Sequence, residues 1–159
     1  MKENKHFFKK AGQVTVELML VLPVFFMMLF FIMEIGNLGF QTILANHCAY
    51  ELARIGSLVA GPTGYDEDDR SNEGKALRKM QAVSKKMFPQ SNVRVTAKIV
   101  ETSYDEQAKR TNEDLIVTLQ YPAKLIFPGS SFALADNPKS RRLKYINVSV
   151  RMPIEKPFK

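Results

Sequence analysis

Hydrophobic and polar positions follow three successive rhythms along this chain. The first is no alternation at all: from Leu18 to Met33, sixteen residues pass without a charge. Admitting one charge, Glu17, extends the run back to Gln13 and makes it twenty-one residues long. At ~1.5 Å of rise per residue that is about 30 Å of helix, the thickness of a bilayer's hydrocarbon core. A segment apolar on every side has no polar face to show to water, so it predicts a helix in lipid. The second rhythm is one-sided. Phe40, Leu44, Cys48, Leu52, Ile55 and Val59 recur every three or four residues among Gln41, Asn46, Glu51 and Arg54, which predicts that the helix continues beyond the membrane as an amphipathic half. Gly61-Pro62-Thr63-Gly64 then ends it. Glu73 to Phe88 repeats the helical period, with Leu77, Met80, Val83 or Ser84, and Met87 on one stripe, and Pro89 closing it.

The third rhythm has period two. Val93, Val95, Ala97 and Ile99 alternate with Arg94, Thr96 and Lys98; Leu115, Val117, Leu119 and Tyr121 alternate with Ile116, Thr118 and Gln120; Ile146, Val148, Val150 and Met152 alternate with Tyr145, Asn147, Ser149 and Arg151. Each set predicts a strand with one apolar face, and together they predict an antiparallel sheet lying on the helices. A polar loop, Ser103 to Asn112, is expected between the first two strands. A longer connection, Ala123 to Arg142, is expected between the last two, largely irregular because of Pro122, Pro128, Gly129 and Pro138. Ser130 and Ser131, after Pro-Gly, read as turn residues, and the tail from Pro153 to Lys159 as extended. The expected fold class is α+β: a long N-terminal transmembrane helix continuing as an amphipathic helix, packed on a small head with a second helix and about three antiparallel strands. The expected divisions are a basic leader (1–12), a transmembrane helix (13–39), its amphipathic continuation (40–60) and an extracytoplasmic head (61–159).

Charge fixes the expected orientation. The net charge of +7 matters less than its placement. Lys2, Lys5, Lys9 and Lys10 crowd before the apolar run against Glu3 alone, while the nearest charges after it are Glu34, Glu51 and Arg54. Positive residues stay inside, so the N-terminus is expected in the cytoplasm and the remaining ~120 residues outside, as a single pass. Nucleic acid is not an expected partner for a domain so placed. The basic face of the second helix (Lys75, Arg78, Lys79, Lys85, Lys86) is expected to be solvated. Cys48 is the sole cysteine, which excludes an intrachain disulfide and reads as a small apolar core residue.

No pattern for chemistry emerges. Asp66 to Asp69 is acidic, but Arg70 occupies the third ligand place of a calcium loop, so a solvated loop is expected. His47 has no second histidine at ligand spacing. Nucleophile elbows, P-loops and dinucleotide fingerprints are missing from the sequence. The expectation is a non-enzyme with no catalytic residue, cofactor or metal.

Three readings compete for the head of the chain. A cleavable secretory signal has a shorter apolar core and a small-residue cleavage site. A plain signal anchor fits the hydropathy and leaves the glycine at Gly12 and the carboxylate at Glu17 unexplained. The third is a resemblance: Lys9-Lys10-Ala11-Gly12 followed by Gln13-Val14-Thr15-Val16-Glu17 resembles the class III signal of type IV pilin-like proteins. It implies cleavage by a prepilin peptidase between Gly12 and Gln13, which makes Glu17 the fifth mature residue. The wider stretch from Gly12 to Phe40, with Leu22-Pro23-Val24 and Glu34-Ile35-Gly36, and then Ala49-Tyr50-Glu51-Leu52-Ala53-Arg54, resembles the TadE-like minor pseudopilins of tight-adherence (Flp) pili.

The resemblance implies a pilin-like layout and a structural role in initiating, assembling or tipping a pilus for adhesion. It implies partnership with other pilins or pseudopilins, the inner-membrane assembly platform and membrane lipid, and an assembly role for Glu17, pairing with a neighbouring subunit's α-amino group. Pro23 is expected to bend the helix, and Gly36 and Gly39 either to allow close helix packing or to act as flexible punctuation at the outer membrane boundary. Leu18 departs from the aromatic residue frequent after that glutamate. The C-terminal half does not separate TadE from TadF or TadG types. A pseudopilin of type II secretion or another type IV pilus, or a signal-anchored envelope binding protein, are the alternatives.

Overall fold

Sixteen uncharged residues in a row leave the backbone no polar partner but itself, and the helix they start runs on without interruption. In the computed structural model, which describes residues 3–61, 69–89, 91–106 and 110–154, helix α1 spans Glu3–Ala60 and passes through Pro23, Gly36 and Gly39 unbroken. Helix α2 (Asp69–Met87) follows, then strands β1 (Arg94–Asp105) and β2 (Arg110–Lys124), a short helix α3 (Ser130–Leu134), a 3-10 turn (Lys139–Arg141) and strand β3 (Leu143–Pro153). This is α+β, with a long apolar helix, a second helix and a three-strand antiparallel sheet in the order β1-β2-β3. The Pro62–Gly64 turn, the acidic run as far as Asp68 and the tail from Glu155 lie outside the described residues.

The chain divides into two compact units, one of residues 1–38 with 125–143 and one of 39–124 with 144–159. The second unit holds the hydrophobic core. Its α1 residues are almost all small: Ala45, Cys48, Ala49, Ala53, Gly56 and Ala60 are buried, with Leu52 the large one among them. The volume comes from the other side, from Ala76 and Met80 of α2 and from Val95, Leu115, Val117, Leu119 and Val148 of the sheet. The inward strand positions are therefore those that the period-two pattern selects. The stripe expected on α1 holds at Cys48, Leu52 and Val59 and fails at Phe40 and Leu44, which are exposed. Pattern reading weighs large side chains, whereas a helix lying close on a sheet wants small ones. Cys48 is buried as a core residue, its Sγ 3.4 Å from Met87 Sδ.

The expected polar loop at 103–112 is mostly strand. β1 and β2 pair in register from Arg94–Gln120 to Asp105–Arg110, with one irregularity between Glu101 and Ser103. Arg151 of β3 links all three strands, pairing with Asp114 and donating to Thr102 Oγ1 at 3.1 Å. A polar ribbon of this kind buries no face, so the hydrophobic pattern does not reveal it. α2 likewise begins at Asp69, ahead of the expected Glu73, on residues with no apolar stripe to mark them.

Gly56 marks a close approach of α1 to Leu115 of the sheet and Met80 of α2. A Cβ built there would lie 2.7 Å from Leu115 Cδ2 and 2.7 Å from Met80 Sδ. Both are ends of flexible side chains, so a methyl is tolerable and is partly offset by alanine's better helix propensity, ~0.5–1 kcal/mol. Gly56→Ala is expected to change stability by less than about 1 kcal/mol, whereas Gly56→Leu overpacks the site and costs about 3 kcal/mol. Thermal unfolding in detergent, followed by circular dichroism, checks this. Equal melting points for the two variants would contradict the close approach.

Candidate functional site

Two places on α1 carry polar groups in an otherwise apolar surface, and both lie in the first unit. At the N-terminal end, every residue from Gly12 to Met28 is exposed. The surface includes Leu18, Met19, Leu20, Phe25 and Met27, each more than half exposed. Such a surface is unstable in water and stable against acyl chains or other apolar helices. Among the described residues α1 is the one helix long and apolar enough to cross a membrane, which is consistent with a single-pass membrane protein.

On this surface Gln13, Thr15 and Glu17 are the polar side chains that follow Gly12 in one helical stretch. Residues four apart share a face, and the Gln13 amide accordingly donates to Glu17 Oε1 at 3.2 Å. A carboxylate on a lipid-facing helix is costly and calls for a partner or an interface; here a neutral amide is what it has. Pro23 sits one turn and a half further along, and a Cβ at Gly12, Gly36 or Gly39 would touch nothing within 4 Å. These glycines leave smooth, open surface on the helix.

The second place was not expected from the sequence. Glu34, which ends the uncharged run, is fully buried. Its carboxylate accepts the backbone N–H of Ile126 at 3.0 Å, that of Phe127 at 2.7 Å, the Ser130 hydroxyl at 2.9 Å and the Asn37 amide at 3.3 Å. Opposite it, Arg142 donates through one guanidinium nitrogen to the carbonyls of the same two residues, Ile126 at 3.1 Å and Phe127 at 2.7 Å. An acid thus holds the donors of this dipeptide and a base holds its acceptors. Phe127 completes the arrangement by stacking on Phe30, with ring centroids 5.9 Å apart and planes 15° from parallel.

Ser130 opens α3, where a turn was expected, and Gly129 before it takes a left-handed φ of 81° that the absence of a Cβ makes easy. Arg142 also sits in the left-handed region, at φ 53°. A peptide turned to face an acid on one side and a base on the other needs such corners. In the clasp the Ser130 hydroxyl is engaged by the Glu34 carboxylate and by the Phe127 carbonyl at 2.8 Å, and no cluster of His, Cys, Asp or Glu among the described residues could hold a metal ion. What the clasp can do is fix 125–143 on the last turns of the apolar run. Glu34 could have been suspected, since an acid closing sixteen uncharged residues must be solvated or bonded; its partners, 92 to 96 positions away, carry no local signal.

Residues 12–54 match the family model of TadE-like protein, a little over a quarter of the chain, beginning at Gly12 and ending at Arg54. No curated protein and no solved structure gives a significant match to the chain. The matched segment bears the TadE-like signature, which points to Tad pilus systems and to pilins as partners in general, within a family not known for enzymes.

Proposed function

We propose that this chain, TadE-like from Gly12 to Arg54, is a minor pseudopilin that serves a Tad/Flp-type pilus structurally, in its initiation, assembly or tip, and performs no catalysis. The observation that carries the reading is the coincidence of that match with an exposed apolar helix surface bearing one acid, Glu17, five residues past a glycine. The cluster of lysines before the run supports an N-terminus in the cytoplasm and the rest of the chain outside the inner membrane. A prepilin peptidase cuts between Gly12 and Gln13 and discards residues 1–12. The helix from Gln13 stays in lipid until it meets other pilins and the assembly platform. Glu17, one turn into the mature helix, then pairs with the α-amino group that cleavage creates on a neighbour. In the low dielectric of packed helices such a pair is strong and selects register. The open helix surface at Gly36 and Gly39 suits close approach of those neighbours.

Processing is the first test. Protein extracted from membranes of a pilus-producing cell is expected to have an intact mass lacking Met1 to Gly12 and to begin at Gln13. Protein that keeps those twelve residues while pili are made overturns the reading.

A further inference from the structure

The clasp sets the depth at which 125–143 meets the helix. Gln13 and Glu34 are twenty-one residues apart, about 32 Å along α1 and equal to a hydrocarbon core. With Gln13 at one face of the bilayer, Glu34 stands at the other, and the residues bonded to it stand there too. That places the outer end of the span near Glu34, five residues short of the expected Gly39. The segment held there is amphipathic in a way water does not favour. Ile126 is 62% exposed and Phe132 81% exposed; the first gives its own N–H to Glu34, and the second lies two residues past Ser130, whose hydroxyl donates to the same carboxylate. Around them 125–143 carries Lys139, Arg141 and Arg142 against a single acid, Asp136. Lys139 lies over the Phe132 ring, its Nζ 4.8 Å from the centroid, and donates to the Phe132 carbonyl at 2.8 Å. Aromatic side chains with a long cation beside them are what the headgroup region accommodates: the ring enters the acyl boundary while the ammonium stays with the phosphates.

We infer that 125–143 is a membrane-interface foot, which inserts Ile126 and Phe132 into the headgroup boundary of the outer leaflet with Lys139 and Arg141 against lipid phosphates. The foot rests on α1 crossing the membrane and is independent of the pilus reading. It gives the chain a second lipid contact besides the span and fixes the helix against sliding and rotation.

The chain has no tryptophan, so one substitution supplies a unique reporter. Full-length Phe132→Trp, reconstituted in phosphatidylethanolamine–phosphatidylglycerol vesicles, is expected to emit to the blue of tryptophan in water. It should lose most of that emission to lipids brominated near the carbonyl end of the chain and less to those brominated near the methyl end. Ile126→Trp is expected to behave alike, and Phe25→Trp, inside the apolar run, to reverse the order. Emission from both foot reporters that is the same in brominated and plain lipid, with Phe25→Trp quenched, overturns the foot and leaves the span intact. Blue emission without bromine quenching means that protein, such as a second copy, covers Phe132, and also overturns it. An unquenched Phe25→Trp removes the span on which the foot depends.

Discussion

Replacing Glu34 by alanine is expected to release 125–143 from the helix. The variant leaves two backbone N–H groups without their acceptor and the Ser130 hydroxyl with the Phe127 carbonyl alone. Hydrogen bonds to a charged group contribute ~1.5–3 kcal/mol each, and not all are lost at once when water can enter. A local cost of about 3 kcal/mol follows, which is roughly two orders of magnitude in the population of the open segment. Trypsin reads this directly, since Lys139, Arg141 and Arg142 all lie in the segment. In nanodiscs, cleavage after these residues is expected to accelerate by about a hundredfold in Glu34→Ala. Glu34→Gln, which keeps the shape but offers one acceptor oxygen and presents a donor to donors, should fall between. Cleavage at the wild-type rate in both variants would mean that Glu34 holds nothing in place.

The second large effect concerns output, not stability. Glu17 is exposed on α1 with the Gln13 amide as its hydrogen-bond partner, so Glu17→Ala should leave membrane insertion and the fold of the head unchanged. Removing a costly charge from the span can only ease insertion. Assembly is another matter if the carboxylate pairs with a neighbour's new N-terminus, for then each subunit contact loses its polar anchor. At ~1.4 kcal/mol for each tenfold change, even a screened pair accounts for a loss of roughly tenfold or more in surface pili. Glu17→Gln, isosteric but uncharged, is expected to fail as well, which separates charge from shape. Pilus yield measured by shearing and blotting, with the membrane fraction as the insertion control, decides it. Normal yield from both variants removes the assembly role.

These two acids also mark what a reader of the sequence could and could not see. Glu17 belongs to a local pattern, a glycine and a carboxylate five apart at the start of an apolar run, and local patterns are legible because the residues that give them meaning are adjacent. The three strand faces were legible for the same reason: Leu115, Val117 and Leu119 alternate with polar neighbours and are fully buried. The ends of β1 and β2 were not, since paired strands that leave the core need no apolar face. The stripe on α1 was read correctly at Cys48 and Leu52, but its small members were missed because burial at Ala45, Ala49, Ala53 and Gly56 reflects close backbone approach, which hydrophobicity does not measure. Glu34 was visible only as a boundary. Its meaning lies in Ser130 and in two backbone N–H groups more than ninety residues on, and no spacing rule connects them.

That separation has a consequence for how the protein is made. A chain is synthesised from its N-terminus, so Glu34 emerges long before Ile126, Phe127 and Ser130 exist, 92 to 96 residues later. Throughout that interval the Asn37 amide and water are its sources of hydrogen bonds, and a carboxylate so sparsely partnered favours the wet surface over the bilayer interior. Only when the last fifth of the polypeptide arrives can the acid be sealed, so the latch closes late, with only the residues that complete the clasp at Arg142 and the final strand still to come.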